Sequence, residues 1–465
     1  MIWIAELPFR VRLKKLIKIL SRIAMGPMTP TQVEEYGGGP VKMPRPIAFD
    51  ITHVVSRLPI TKPSGIDKVD LAFVAHFAQS PCDIAVHYGV SHPRIHAGTA
   101  IASLYEQART HRWSDDHRRD DDALARVSVF LCGGTVDRVC LKNTACSGGG
   151  GWFRRWTQIS WRLARSATRL PRGSIYLNAA QHAFEYPQFF AWLGQRPDIK
   201  PVFLVHDLLP LDYPEYFRPG YKERFARRLA TITRYAAGLI VTSNAVAERV
   251  SRAYADSDRA MVPCHVAPLP SSLPVPEKNL AAAKFQSAPY FVVIGTIEPR
   301  KNHLLLLNIW RRLAEEQPRP PKLIIVGARG WENEQILDVL DRSALVRPHV
   351  LEISGLSDRA LAQLIAHARG LLMPSFAEGY GLPVVEALAA GTPVIASDIP
   401  VFREISQGRA LFRHPLDGLG WRTAIQELVD MESATSLEIR TRTSEFRSPT
   451  WDGYFRDLRG FLSQL

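Results

Sequence analysis

The sequence predicts an α/β protein made of two consecutive doubly wound units, each a parallel sheet with helices on its faces. Three observations carry this. Short apolar runs recur along the 465-residue chain, with stretches of helical periodicity between many of them. That alternation is what parallel sheets with crossover helices produce. A polar, proline-rich segment at 263–289 interrupts the rhythm, which then restarts. The length also exceeds one ordinary domain of roughly 100–200 residues.

The chain opens with a basic amphipathic stretch at 9–24. Phe9, Leu13, Leu16, Ile17, Leu20 and Ile23 recur at helical spacing, and Arg10, Arg12, Lys14, Lys15, Lys18 and Arg22 fill much of the rest. Such a helix either packs on a core or lies on a membrane surface. A Pro- and Gly-rich linker follows at 26–46. In the first unit, strands are expected at 47–54, 127–131, 174–177, 202–205 and 239–242. The charge run 113–122 and the glycine run 148–151 are expected as exposed loops. In the second unit, strands are expected at 290–295, 322–327, 349–354, 370–374 and 393–397. Helices are expected there at 303–316, 332–342, 358–368 and 383–390. Sites in such units lie beyond the carboxyl ends of the strands. Two units facing each other enclose a cleft suited to a ligand.

Composition narrows the setting. Hydrophobic residues make up 46% of the chain and charged residues 22%, which supports a core rather than disorder. The net charge of +13 favours anionic partners. The five cysteines are irregularly spaced with no CxxC pair, which fits a reducing compartment. No apolar run reaches the roughly 18–20 residues needed to span a bilayer. Glu6 interrupts the apolar start, so the N-terminus does not read as a signal peptide. A cytoplasmic protein that does not cross the membrane is expected.

The chemistry concentrates in PSFAEGYGLPVVEALAAGTPVIASD, residues 374–398. An apolar strand enters a loop holding Glu378, Gly379, Tyr380 and Gly381, and a helix begins near Pro383, an allowed first-turn proline. Glycines let the backbone approach a ligand. The helix N-terminus offers unpaired N–H groups and partial positive charge, a phosphate site. Glu378 precedes it, and Glu386 is expected on the helix's first turn. Carboxylates there would repel phosphate, and accept hydrogen bonds from sugar hydroxyls on either side of it.

This segment resembles the Glu, seven residues, Glu signature of the retaining glycosyltransferases of family 4, which have the GT-B fold. The resemblance implies that Glu378 contacts the donor sugar, that the N–H groups of Gly379, Tyr380, Gly381 and Leu382 contact sugar and diphosphate, and that Glu386 holds the ribose hydroxyls. YFVVIGTIEPRKNHLLLL, residues 290–307, resembles the family's donor-phosphate loop, with Gly295 ending a strand and Lys301 in the place of its lysine. The family often has an arginine directly after the glycine, where this chain has Thr296; Arg300 stands as the substitute. Fixed cations there would neutralise charge on a departing diphosphate. VFLVHDLLPLDYPEYFRPG, residues 202–220, is similar to the pattern that sets a histidine, here His206, near the reacting sugar. KPSGIDKVDLAF, residues 62–73, resembles the early glycine loop, with Gly65 near diphosphate or acceptor. ISGLSDRALAQLIAHA, residues 353–368, resembles the stretch lining the nucleotide base, and residues 449–462 resemble the closing helix that crosses back onto the first domain.

The expected divisions are therefore an extension and linker at 1–46, a Rossmann-like acceptor domain at 47–275, a Rossmann-like donor domain at 276–445 and a returning helix at 446–465. The resemblance implies transfer of a hexose, with retention, from a nucleotide-sugar to a glycan in bacterial polysaccharide biosynthesis. Its nearest motifs point to GDP-mannose, with a UDP-sugar as the alternative donor. No cofactor and no metal are expected: the run at Asp120, Asp121 and Asp122 has DxD spacing but follows Arg118 and Arg119 rather than an apolar strand. A polyprenyl-diphosphate-linked glycan is the expected acceptor. An anionic membrane surface is an expected partner, through residues 9–24 and a second tryptophan- and arginine-rich stripe at 152–170. Nucleic acid is not, since no recognition motif accompanies the charge. A nucleotide-sugar epimerase and a non-catalytic degenerate transferase are the rival readings.

Overall fold

The computed structural model describes residues 45–57, 64–79, 84–88, 93–111, 117–134, 136, 165–166, 169–276, 285 and 287–465. The basic stretch at 9–24, the glycine run at 148–151 and nearly all of the 152–170 stripe lie outside these residues.

Two sheets organise the described residues. The first contains β1 (Ile47–Asp50), β2 (Ile84–Tyr88), β3 (Pro93–Ala97), β4 (Arg165–Ser166), β5 (Ile175–Asn178), β6 (Lys200–Val205), β7 (Gly238–Val241) and β8 (Cys264–Val266). Their order is β4-β3-β2-β1-β5-β6-β7-β8. All pairings are parallel except β2 with β3 and β3 with β4, which form an antiparallel edge. The second contains β9 (Tyr290–Ile294), β10 (Lys322–Val326), β11 (Val350–Ile353), β12 (Gly370–Met373), β13 (Val394–Ser397) and β14 (Leu411–Arg413). It is wholly parallel in the order β11-β10-β9-β12-β13-β14. The central strands are buried on both faces, as sheets covered by helices on both sides must be. In each sheet the winding reverses beside the first strand, between β1 and β5 and between β9 and β12. A crevice opens at such a switch point, outside the carboxyl ends of the strands.

The second unit matches its expected strands and helices to within two residues. The first adds β2, β3, β4 and β8 to the expected strands, and departs from expectation at 47–54, at 127–131 and in the charge run. Residues 47–54 are not one strand: Asp50 Oδ1 accepts from Thr52 N at 2.9 Å, and this turn starts the helix Thr52–Arg57. Residues 127–131 are helical, the end of His117–Leu131. Ala123, Val127, Phe130 and Leu131 are all buried, at the spacing of one helical face. The same helix includes residues 117–122, so the charge run is not a loop there; it forms the first turns, with Asp122 exposed.

The C-terminal helix Trp451–Ser463 crosses back to the first sheet's helices. Phe455 stacks on His76 at 3.9 Å and meets Phe73 edge-on at 5.1 Å. Arg459 Nε donates to His76 Nε2 at 3.1 Å. Phe461 stacks on His265 beside β7 and β8. Both sheets and this helix contribute to one continuous apolar cluster.

Candidate functional site

At the switch point of the second sheet, the loops after β9 and β12 are tied together. Phe376 N donates to Arg300 O at 2.9 Å, and Asn302 Nδ2 donates to Pro374 O at 3.2 Å. This brings three predicted residues into one cluster. Glu378 accepts from Lys301 Nζ at 2.5 Å, from Arg300 Nη1 at 2.8 Å and from Ser375 Oγ at 2.8 Å. Arg300 also donates to Glu298 Oε1 at 2.6 Å and Ala377 O at 2.7 Å. All three side chains of the central pairings are largely buried. Burial alone would raise the Glu378 carboxyl, but Arg300 and Lys301 overcome it and hold it at about 2. Burial works against charge on Arg300 as well, and Glu378 and Glu298 more than offset it.

The glycines make this packing possible. Gly295 has φ +145°, and a Cβ there would sit 3.1 Å from Lys301 Cε. The lysine thus lies against the end of β9, where any side chain would be strained by the backbone conformation and would press on the lysine stem. Gly381 (φ +102°) is the N-cap of the helix Leu382–Ala389, with Pro383 in its first turn. Gly379 abuts the first domain: a Cβ would meet Asp207 Cβ at 2.6 Å. Thr242 Oγ1 donates to Gly379 O at 3.4 Å in the same junction.

Other predicted residues take different places. Tyr380 turns its hydroxyl away from the cluster and donates to Leu269 O at 2.8 Å; its ring is buried. Only its backbone remains available to a ligand. Tyr380→Phe should therefore cost about 1 kcal/mol of stability, the scale of one net hydrogen bond, read as a lowered urea midpoint with nucleotide affinity unchanged. Thr296 has its methyl group against Gly330 and supplies no cation. His206 Nε2 bonds to Ala179 O at 2.8 Å within the first domain, and burial lowers its pKa to about 4. At neutral pH it is an uncharged imidazole. Asp207, next to it, is raised by burial and lies in the field of both Arg300 and Glu378.

Gly65 opens the helix Gly65–Ala78 rather than sitting in a loop. Ser64 and Asp67 form a reciprocal capping box there. A Cβ on Gly65 would lie 3.5 Å from Leu382 Cδ1. The N-terminus of the Gly65 helix thus faces that of the Leu382 helix across the cleft. Glu386 is one residue beyond the first turn of its helix, not within it. It is buried, which raises its pKa, while Lys68 opposes the shift. Lys68 Nζ, from the Gly65 helix, lies 3.8 Å from Glu386 Oε1 and 2.7 Å from Asp358 Oδ1.

Lys68, Asp358, Ser375 and Asp207 are neighbours of the site that motif reading did not single out. All four lie inside quoted segments. Lys68 had a legible signal, three residues after the glycine on a helix that faces the site. Asp207 had another, as the residue following His206 at the end of β6. Among the described residues, no group of three His, Cys, Asp or Glu side chains is disposed to hold a metal ion.

The Glycosyl transferases group 1 family profile matches residues 277–409, which contain this cluster. The chain is 35% identical over 223 residues to the serotype-specific mannosyltransferase WbdA of Escherichia coli, a match covering 45% of this chain and 27% of that protein. It is 28% identical over 236 residues to the O-antigen chain mannosyltransferase RfbU of Salmonella typhimurium, covering 50% of this chain and 62% of that one. The chain thus spans about a quarter of WbdA's length. In fold it is similar to sucrose-phosphate synthase from Thermosynechococcus elongatus, with TM-score 0.56 and 17% identity over 90% of this chain and 98% of that one. The two-sheet architecture is the GT-B fold.

Proposed function

We propose that this chain, whose second domain is a glycosyl transferase domain of group 1, moves a hexosyl group from a nucleotide-sugar to a glycan in the assembly of a bacterial polysaccharide. The observation that carries this is the Glu378–Arg300–Lys301 cluster at the switch point, beside a glycine-capped helix N-terminus. Glu378 pairs with both buried cations, and Glu298 supplies the second negative charge through Arg300. An incoming diphosphate would take the Leu382 helix N-terminus, and Lys301 would move from Glu378 to the phosphate oxygens. Glu378, released from the lysine, would accept hydrogen bonds from donor-sugar hydroxyls. Glu386 would take the ribose hydroxyls, with Lys68 fixing its orientation.

Transfer breaks the bond between the sugar's anomeric carbon and the diphosphate oxygen, and forms one to an acceptor hydroxyl. The nucleoside diphosphate leaves, and the hydroxyl proton passes to it or to solvent. Cations held in a dry site stabilise that departing charge more strongly than they would in water. The resemblance to family 4 supports retention of configuration. The relatives named as mannosyltransferases support mannose, with GDP-mannose as the donor and a UDP-sugar as the alternative. Release of GDP from GDP-mannose, or UDP from a UDP-sugar, is expected to rise when a glycan acceptor is added. Release that ignores every acceptor would favour a nucleotide-sugar epimerase or hydrolase instead.

Arg300, Lys301 and the helix N-terminus are proposed to take the place of a divalent cation. Transfer is then expected to persist in excess EDTA, and abolition reversed by magnesium or manganese would overturn that. No helix among the described residues is long and apolar enough to cross a membrane. Peripheral attachment to the cytoplasmic membrane face, with a polyprenyl-diphosphate-linked acceptor, rests on the basic residues at 9–24 and 152–170. Flotation with anionic vesicles at low salt, and release at high salt, is the expected result.

A further inference from the structure

The first sheet has its own switch-point crevice, and its residues are not explained by donor chemistry. At the carboxyl end of β1, Asp50 is buried and accepts from Thr52, from Tyr176 Oη at 2.6 Å and from Asn178 Nδ2 at 2.8 Å. One residue past Thr52, His53 Nδ1 bonds to Asp70 Oδ2 at 2.9 Å, and its Nε2 lies 3.6 Å from Asp67 Oδ1. Asp70 is 1% exposed, and its other oxygen, Oδ1, has no hydrogen-bond partner. From the far side of the crevice, His182 brings its ring to 5.9 Å from that of His53.

The segment carrying His182 is held in an unfavourable conformation. Gln181 and Ala183, on either side of it, have φ of +55° and +64°. Such left-handed positions cost non-glycine residues about 1 kcal/mol or more each. They persist because both ends are anchored. Asn178 Oδ1 accepts from Gln181 N at 2.8 Å, Gln181 Nε2 donates to Leu204 O at 3.0 Å, and Thr231 Oγ1 donates to Phe184 O at 2.7 Å. The fold thus fixes two imidazoles 5.9 Å apart, their planes tilted by 53°, at the mouth of the first sheet. The Gly65 helix, which carries Asp67 and Asp70, starts opposite the donor loop at Leu382.

The surrounding charges say what this crevice can hold. Asp50, Asp67, Asp70 and Glu185 lie around it. Arg57 is engaged by Asp67, and Arg224 and Arg228 are engaged by Glu185. An incoming phosphate would meet carboxylates whose neighbouring guanidiniums are already bonded. A sugar hydroxyl would meet imidazoles that can donate or accept. Burial lowers the His182 pKa and so favours its neutral form.

We infer that His53 and His182 receive the neutral, hydroxyl-bearing end of the acceptor glycan, and that Asp70 is a positioning residue fixing the His53 ring. The diphosphate of any lipid carrier then lies outside this crevice. The inference rests on the transferase reading and adds to it the chemistry of the accepting group.

The test uses the full chain saturated with GDP or UDP. Methyl α-mannoside and methyl α-glucoside serve as neutral probes and geranyl diphosphate as the anionic one, with binding followed by saturation-transfer NMR. At least one glycoside should bind wild type, and about tenfold more weakly to His53→Ala and His182→Ala, the scale of one lost hydrogen bond in a desolvated site. Nucleotide affinity by calorimetry should stay within about twofold. Asp70→Ala should share the loss, whereas Asp70→Asn, whose amide oxygen still accepts from Nδ1, should keep most of the affinity. His53→Gln and His182→Gln give the same comparison if the alanine variants do not fold. Unchanged glycoside affinity in both histidine variants, no glycoside binding to wild type, or a matching loss of geranyl diphosphate binding would overturn the inference. Failure of wild type to bind either nucleotide would count against the transferase reading itself.

Discussion

Lys301→Ala is expected to lower turnover by roughly 10²–10³, the scale seen when one preorganised group is removed from charge developing in a transition state. Lys301 has its stem placed against the end of β9, so only its ammonium need pass from Glu378 to the departing phosphate. Its ammonium is 2.5 Å from Glu378, and its stem crosses the end of β9 where Gly295 provides no Cβ. Alanine leaves a gap where the departing diphosphate would meet its cation. It leaves Glu378 still paired with Arg300, so folding should survive. Glu378 needs a more careful substitution. Glu378→Ala would strand Lys301 and leave Arg300 to Glu298 alone, and breaking such a largely buried group by removing one partner costs about 3–5 kcal/mol. Lost activity in that variant would not separate chemistry from stability. Glu378→Gln keeps the shape and one acceptor oxygen, and should lower turnover by a similar 10²–10³ with a smaller loss of stability. Near-normal turnover in both Lys301→Ala and Glu378→Gln, measured as nucleoside diphosphate release, would remove this cluster from the mechanism.

Acid should destabilise the protein through its buried histidines. His76, His206 and His303 are lowered from 6.5 to about 4, 4 and 3 respectively, in each case chiefly by burial. His303 is 0% exposed, and neither ring nitrogen has a hydrogen-bond partner. Between about pH 4 and 6.5 the unfolded chain binds protons that these sites refuse. Stability therefore rises with pH through that window, and the full contribution is present only above it. Asp70 acts in the opposite sense: raised to about 6 by burial, it gains a proton in the native state first. Glu378, at about 2, keeps its contribution until the pH falls below the ordinary glutamate range of about 4.5. Asp50, Asp207, Glu298 and Glu386 are raised by burial too and act with Asp70, whereas His96, His182, His265 and His349 are lowered by burial and act with the three histidines, so seven rings oppose five acids and the net change by pH 5 is a loss of stability. The melting temperature should fall steadily from pH 7 to pH 5, and His303→Leu should flatten that slope. A flat profile would mean that these rings are hydrated or charged in the native protein.

The second domain was legible because its signals were local. Each strand is a short apolar run, each helix has a complete apolar face, and Glu378, Gly379, Gly381 and Glu386 sit on one strand–loop–helix unit. The first domain was harder. Residues 127–131 read as a strand in isolation, and only the longer spacing from Ala123 shows the helical face. The antiparallel edge of β2 and β3 has short, mixed strands whose pairing depends on tertiary context. Lys68 meets Asp358 and Glu386 only because two domains face each other, as Asp207 meets Gly379. The His53, Asp70 and His182 cluster comes from three separate parts of the chain. No spacing within one segment could have announced it.

A nucleotide-binding measurement bears most directly on the proposed donor site. Melting temperature should be followed for wild type, Lys301→Ala and Glu386→Ala, each with GDP-mannose, UDP-sugars and dTDP-sugars over rising concentration. A ligand that binds only the native state raises the melting temperature progressively above its dissociation constant. At least one nucleotide-sugar should raise that of wild type by several degrees, and the shift should shrink or vanish in both variants relative to their own ligand-free values. No shift with any nucleotide-sugar, or an equal shift in all three proteins, would contradict a donor site built on Lys301, Glu378 and Glu386.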